Sequence, residues 1–277
     1  MEESKNYNLI TTIMFISGII VMASLYTALP LTATFAEDFH VPQSVATLNG
    51  VVFSLTYSIS CLFYGTISEK FGRIKTILVG ISALVIICLI IGFVHSFMLL
   101  LIMRPLQGVF AAAFSPVAIT YTTETYPPVK RITAISFIST SFMLSGVLGQ
   151  NMSEIVVSYL NWHWVYFILT ILYLALTLII YKNVPESPYK KPDLKLLKFF
   201  NNFKDFGQNL KVLYSLFISL TLLIMFISMY SILNSYITSN KVGGDMSVAS
   251  VVKLFGVIGM LVSLLGGRLS GRIGIKR

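Results

Sequence analysis

The chain has 277 residues, of which 56% are hydrophobic and only 11% charged, and its mean hydropathy is +0.82. Soluble domains carry about a quarter charged residues, so an ordinary soluble enzyme is excluded, while 20 Phe and 14 Tyr exclude a disordered chain. The net charge of +9 would suit nucleic acid in a soluble protein, but its placement between apolar stretches points to a membrane.

Crossing ~30 Å of hydrocarbon takes roughly 20 apolar residues. Segments near 9–35, 45–67, 76–95, 97–121, 133–156, 163–181, 212–238 and 248–269 meet that requirement. In lipid each must be helical to satisfy its own backbone hydrogen bonds, which predicts an all-α, polytopic membrane protein. The first segment, with Lys5 ahead of it, is too long for a signal peptide and is followed closely by a second span, so it reads as retained. Cys61 and Cys88 lie inside apolar stretches and read as small hydrophobes, not as a redox pair.

With the N-terminus cytoplasmic, the inner loops collect Lys70, Arg73, Lys75, Lys130, Arg131 and the lysines from Lys182 to Lys211. The outer loops then hold Glu37, Asp38, His40, His95, His163 and Asp245, with Lys241 as their basic residue. This asymmetry predicts that both termini are cytoplasmic and that the basic charge is a topology signal, with no nucleic-acid partner. The long polar connection after the sixth span opens with Pro185, Pro188 and Pro192. Apolar residues at 196, 199, 200, 203 and 206 then fall on one helical face, as in an amphipathic helix lying on the inner leaflet. Either a tether between two bundles or a docking element fits that pattern.

An internal repeat follows. The stretch Gly65-Thr66-Ile67-Ser68-Glu69-Lys70-Phe71-Gly72-Arg73-Ile74-Lys75 returns after the eighth span. Gly65 aligns with Gly267, Ser68 with Ser270, Lys70 with Arg272, Gly72 with Gly274 and Lys75 with Arg277. A loop after span two that returns after span eight requires six spans per unit in parallel orientation. Residues 65–75 match every specified position of Gly-x-x-x-(Asp/Glu)-(Arg/Lys)-x-Gly-Arg-x-(Arg/Lys), and in this the sequence resembles the major facilitator superfamily. In the second copy Gly271 stands where Glu69 does and Ile275 where Arg73 does.

The resemblance implies a complete six-helix bundle over 1–182, a cytoplasmic linker with the amphipathic helix over 183–211, and helices seven and eight of a second bundle over 212–277. Against twelve spans the chain covers about two-thirds of the fold, truncated after the eighth helix. Gly65, Glu69, Lys70, Gly72, Arg73 and Lys75, with Gly267, Arg272 and Gly274, are implied as a gating motif, Gly65 permitting close helix approach and Glu69 capping or pairing with a helix end. Arg104-Pro105-Leu106-Gln107-Gly108 resembles the Arg-x-x-Gln-Gly of many members and implies that Arg104 couples protons or organises a cavity; the plainer reading is a snorkelling arginine.

Span five keeps small residues at Ser145, Gly149 and Ser153 but carries Gln150 where antiporters of the family have proline. Gln150 and Asn151 either bond a neighbouring helix or face a cavity. The implied cavity, from spans 1, 4 and 7 with 2, 5 and 8, takes Tyr26, Tyr57, Arg104, Gln107, Gln150, Asn151, Tyr230 and Asn234; Lys253 is the other embedded charge. Trp162 and Trp164 flank His163 as interfacial anchors do, and the three histidines lack metal-ligand spacing.

No enzyme constellation, metal site, cofactor motif or nucleotide-binding loop is present in the sequence. The resulting expectation is a bacterial-type inner-membrane carrier of the drug:proton antiporter-like branch, exporting a small-molecule substrate by alternating access with protons as coupling ion. An uptake permease for a small organic solute and a truncated, non-transporting fragment are the alternatives.

Overall fold

The computed structural model describes residues 6–190 and 210–237. Six helical segments among them are long and apolar enough to cross a membrane. The first joins α1 (Tyr7–Tyr26) and α2 (Ala28–Asp38), and the second joins α3 (Gln43–Ala46) and α4 (Leu48–Phe71). The third is α5 (Arg73–Ile91), and the fourth joins α6 (Phe97–Ala111) and α7 (Ser115–Thr125). The fifth is α8 (Pro128–Tyr159) and the sixth α9 (His163–Asn183). A further helix, α10 (Leu210–Ile237), occupies the segment expected for a seventh span. The expected eighth span, the amphipathic stretch, Lys253 and the second copy of the loop motif lie outside the described residues.

Prolines set the breaks. Pro30 has no N–H and its ring crowds the carbonyl four residues back, at Tyr26, where α1 ends. Pro116 likewise sits two residues into α7, and the chain before it tightens into a short turn in which Phe114 N–H bonds Ala111 O at 3.2 Å. The third span stops at Ile91, short of the expected residue 95, because Phe93 and Val94 donate three residues back to Ile90 and Ile91 in place of the α-helical partner. Gly72 alone separates α4 from α5, at φ +111°, a left-handed conformation that favours glycine.

Within residues 6–190 the spans pack chiefly as pairs: first with fifth, second with fourth, and third with sixth. Lipid offers no hydrophobic drive between helices, so close backbone approach at small residues has to hold them. On the first and fifth spans a Cβ at Gly149 would lie 2.9 Å from Ala23 O and 3.0 Å from its Cα, and a Cβ at Gly18 would run into Ser141 Oγ. Ser145 and Ser153, on the same stripe as Gly149, are fully buried. At Gly65, by contrast, a Cβ would meet nothing within 4 Å among the described residues. The expectation that it lets two helices approach is corrected: its carbonyl is the useful group, accepting from Arg73 Nη1 at 2.9 Å.

Gly149→Ala therefore overpacks the first and fifth spans and lowers stability by about 1–3 kcal/mol, whereas Gly65→Ala is nearly neutral. Thermal unfolding of the two purified variants in detergent checks the difference.

Candidate functional site

The described residues gather polar chemistry in two places. The first is the turn between the second and third spans. Arg73, the first residue of α5, has a side chain only 4% exposed and is turned back under α4. Its Nε and Nη2 donate to Glu124 at 3.1 and 2.6 Å, a two-pronged ion pair, while Nη1 donates to Ser68 Oγ at 2.7 Å and to Gly65 O. Ser187 Oγ donates to Glu124 at 3.3 Å. The carboxylate of Glu186 accepts from the backbone N–H of Ile74 at 2.9 Å and of Lys75 at 3.0 Å, capping the start of α5 where the helix dipole is positive. Its Oε2 would lie 2.7 Å from a Cβ at residue 72, a second reason for glycine there. The loop is thus bolted to the ends of the fourth and sixth spans.

Of the motif residues named from sequence, Gly72 and Arg73 are at the centre of this network. Lys70 stands 5.6 Å over the Phe71 ring, and Glu69 is half-buried on the last turn of α4. Lys75 is exposed. Glu124 and Glu186 complete the network from outside the repeated motif, and the sequence signal for Glu186 is its place between two prolines in Pro185-Glu186-Ser187-Pro188. Gly267, Arg272 and Gly274 lie outside the described residues.

The second place is deep in the bundle. Arg104 lies roughly two turns into α6 and is fully buried, so the snorkelling reading is excluded. Nη1 donates to Gln107 Oε1 at 2.6 Å, Nε to Asn49 O at 3.3 Å, and both terminal nitrogens reach Ser24 O at 3.5 Å. The guanidinium stands 4.4 Å over the Phe53 ring. Gln107 passes the contact on, its Nε2 donating to Cys88 Sγ at 3.1 Å. No carboxylate among the described residues reaches Arg104. The side-chain amide of Asn49, itself buried, has neither its oxygen nor its nitrogen partnered.

Around this charge the other expected cavity residues take separate positions. Tyr57 stacks on Phe53, and its hydroxyl lies 2.6 Å from Ser115 Oγ and 3.3 Å from Met22 Sδ. The Tyr26 ring covers Gly146, about one van der Waals contact away. Among the described residues Gln150 and Asn151 make no hydrogen bond to a neighbouring helix: they donate to Gly146 O and Val147 O on their own turn, at 2.8 and 2.9 Å. Asn151 Oδ1 is buried without a partner. Tyr230 and Asn234 fall on α10, and their side chains lie outside the described residues. Sequence reasoning missed Ser24, Asn49 and Phe53, since two of them act through backbone carbonyls that any residue carries.

At the opposite membrane end Trp162 is buried, donating from Nε1 to Asp38 Oδ2 at 2.6 Å and stacking on His163 at 3.7 Å. It ties the end of the first span to the start of the sixth, so its reading as an interfacial anchor is corrected. Trp164 is exposed and keeps that reading.

The sequence pattern of the family described as Major Facilitator Superfamily matches residues 14–277. The chain belongs to the Major Facilitator Superfamily. It is a multi-pass membrane protein of a transporter family and not an enzyme. An uncharacterized MFS-type transporter of Bacillus subtilis, YybF, is 31% identical over 190 residues, 68% of this chain and 47% of that protein. Multidrug resistance protein D of Escherichia coli is 27% identical over 199 residues, 71% of this chain and 50% of its own length. The chain thus spans about half the length of these curated relatives. The solved structure of the proton:xylose symporter XylE shares the fold, with a TM-score of 0.70 at 14% identity over 100% of this chain and 71% of that one.

Glu124→Ala leaves Arg73 buried without its counter-charge and lowers stability by about 2 kcal/mol, below the full cost of a buried pair because Glu124 is 23% exposed. Trp162→Phe loses the bond to Asp38 and costs about 1–2 kcal/mol, and Lys75→Ala less than about 0.5 kcal/mol. Unfolding of each purified variant, followed by near-ultraviolet circular dichroism, ranks the three.

Proposed function

We propose that this superfamily protein is a proton-coupled secondary carrier exporting a drug-like or metabolite substrate across a bacterial-type inner membrane, with both chain ends cytoplasmic. The observation that supports this best is Arg104: a permanently charged group held in the apolar interior by carbonyls, an amide and a ring, with no carboxylate among the described residues. Leaving a charge so placed is costly, and in a membrane interior an ionisable residue marks a functional pathway by default.

The chemistry follows from the charge. A carboxylate or anionic ligand group brought next to Arg104 is stabilised in its ionised form, so its approach is linked to proton release and its departure to proton uptake. The carbonyls of Ser24 and Asn49 hold the guanidinium weakly enough, at 3.3–3.5 Å, to exchange partners as bundles rock. Tyr57 and Tyr26, with Met22 beside Tyr57, supply a soft aromatic surface suited to apolar substrates. Gln150 and Asn151 on the fifth span complete the proposed lining. The loop from Gly65 to Lys75 works as the gate at the cytoplasmic end: the Arg73–Glu124 pair and the Glu186 cap hold the second, third, fourth and sixth spans together there, and must slacken for that end to open. In this reading residues 1–182 form one half, and 183–211 link it to a second half beginning at 212. The relative named Multidrug resistance protein D supports a drug-like substrate.

Cells expressing the protein lose a fluorescent cationic dye in a manner that needs the proton gradient, and Arg104→Ala abolishes that loss while inserting normally. Arg104→Lys keeps the charge but not the fork and recovers under a tenth of the rate. Gradient-dependent accumulation of the probe in place of loss identifies an uptake permease, and efflux that survives Arg104→Ala removes Arg104 from the coupling.

A further inference from the structure

The membrane end that carries the Arg73 network also holds the starts of the first and fifth spans, side by side. The Tyr7 and Tyr126 rings lie 5.0 Å apart, and the Tyr126 hydroxyl lies 3.0 Å from Thr11 Oγ1 and donates to Tyr7 O at 3.3 Å. Burial pushes the Tyr126 phenol up to about 12, against the Thr11 hydrogen bond, so it stays a donor at any working pH. Immediately beyond it come Lys130 and Arg131. Lys130 Nζ stands 5.5 Å over the Tyr7 ring, and Arg131 Nη2 donates to Tyr126 O at 3.2 Å. Arg131 Nε is buried with no acceptor among the described residues.

Four positive elements therefore converge on one spot. Two are the side chains of Lys130 and Arg131. Two are the N-termini of α1 and α8, neither of which has an acidic residue in its first turn. No carboxylate among the described residues pairs with Lys130 or Arg131. Among the described residues no anion faces this arrangement, and the exposed Lys130 ammonium beside two helix starts favours an oxygen-rich one.

The surroundings say which anion. Val129, in the first turn of α8 beside Lys130, is 90% exposed. Leu9, in the first turn of α1, and Ile132, one turn into α8, are 44% and 37% exposed. A ligand that satisfies this surface has an anionic, oxygen-rich head and apolar chains running inward beside it. We propose that Lys130, Arg131 and the paired starts of α1 and α8 bind the phosphate of an anionic phospholipid, whose acyl chains lie along Leu9 and Ile132. Basic pockets between spans hold such headgroups by this balance of charge and apolar contact. The binding is independent of what the carrier transports.

The test is lipid binding by the purified full chain in uncharged detergent, read both as the shift in thermal midpoint and as a dissociation constant for fluorescent phosphatidylglycerol. Phosphatidylglycerol raises the midpoint, while phosphatidylcholine and inorganic phosphate do not. Lys130→Gln/Arg131→Gln weakens phosphatidylglycerol binding roughly thirtyfold, from about one unit of headgroup attraction per basic residue. Lys182→Gln, an exposed lysine at the same membrane end, leaves it within twofold. If the double variant fails to fold, Lys130→Gln alone, which leaves Arg131 in place, weakens it about fivefold. Equal phosphatidylglycerol binding by the variants overturns the proposal. So does a midpoint shift from inorganic phosphate as large as that from phosphatidylglycerol, which marks a soluble-anion site, or one from phosphatidylcholine, which marks non-specific amphiphile binding.

Discussion

A charge inside hydrocarbon must be met by an opposite charge, by dipoles or by a polarisable ring, and how Arg73 and Arg104 meet that demand organises the rest. Arg73 takes the first solution. It sits at a membrane end, where Glu124 retains contact with solvent, and the pair becomes a bolt between the second, third and fourth spans. Arg104 takes the other two. Its partners are carbonyls of the first and second spans, the Gln107 amide and the face of Phe53, none of which cancels its charge. One arginine is neutralised and holds helices together; the other is tolerated and stays responsive to any anion that reaches it.

The rest of the bundle keeps that contrast in place. Backbone hydrogen bonds are satisfied inside each helix, so they distinguish no arrangement from another. What selects the arrangement is where backbones can touch. Gly149 against Ala23 and Gly18 against Ser141 draw the first span onto the fifth, which brings the carbonyl of Ser24 to its place opposite α6. The break of the first span just past that point, at Thr27, lets α2 run on to place Asp38 under Trp162. The two membrane ends are thereby closed differently, by an ion pair and a capping carboxylate at one and by an indole–carboxylate bond at the other. Separating the helices at either end breaks charge-assisted hydrogen bonds and leaves helix backbones intact.

Much of this was legible along the chain. The spans lie within a few residues of their expected bounds because hydropathy over a crossing length is a local property, and helix is the geometry that lipid permits. The ends run further than the apolar stretch, Pro128–Tyr159 against an expected 133–156, because polar residues beyond the hydrocarbon continue the helix into the interface. Gly72 was legible from its place in the motif, and the left-handed backbone there gives the reason.

What the sequence determined by itself is therefore the class of molecule, the number and order of the described spans, and which charges stand inside them. Tertiary structure alone decided what those charges touch. Arg104 had no partner within its own motif except Gln107; Ser24 and Asn49 are distant in sequence and contribute backbone carbonyls, which no side-chain pattern advertises. Gly65 looked like a packing glycine, yet a Cβ there meets nothing among the described residues, whereas Trp162 looked like a surface anchor and is buried. Glu186 belongs to the Arg73 loop because the sixth span returns to the same membrane end. Periodicity and hydropathy report the solvent that each residue prefers, and the partner of a buried polar group is set by which helices lie side by side, a property of the packed bundle.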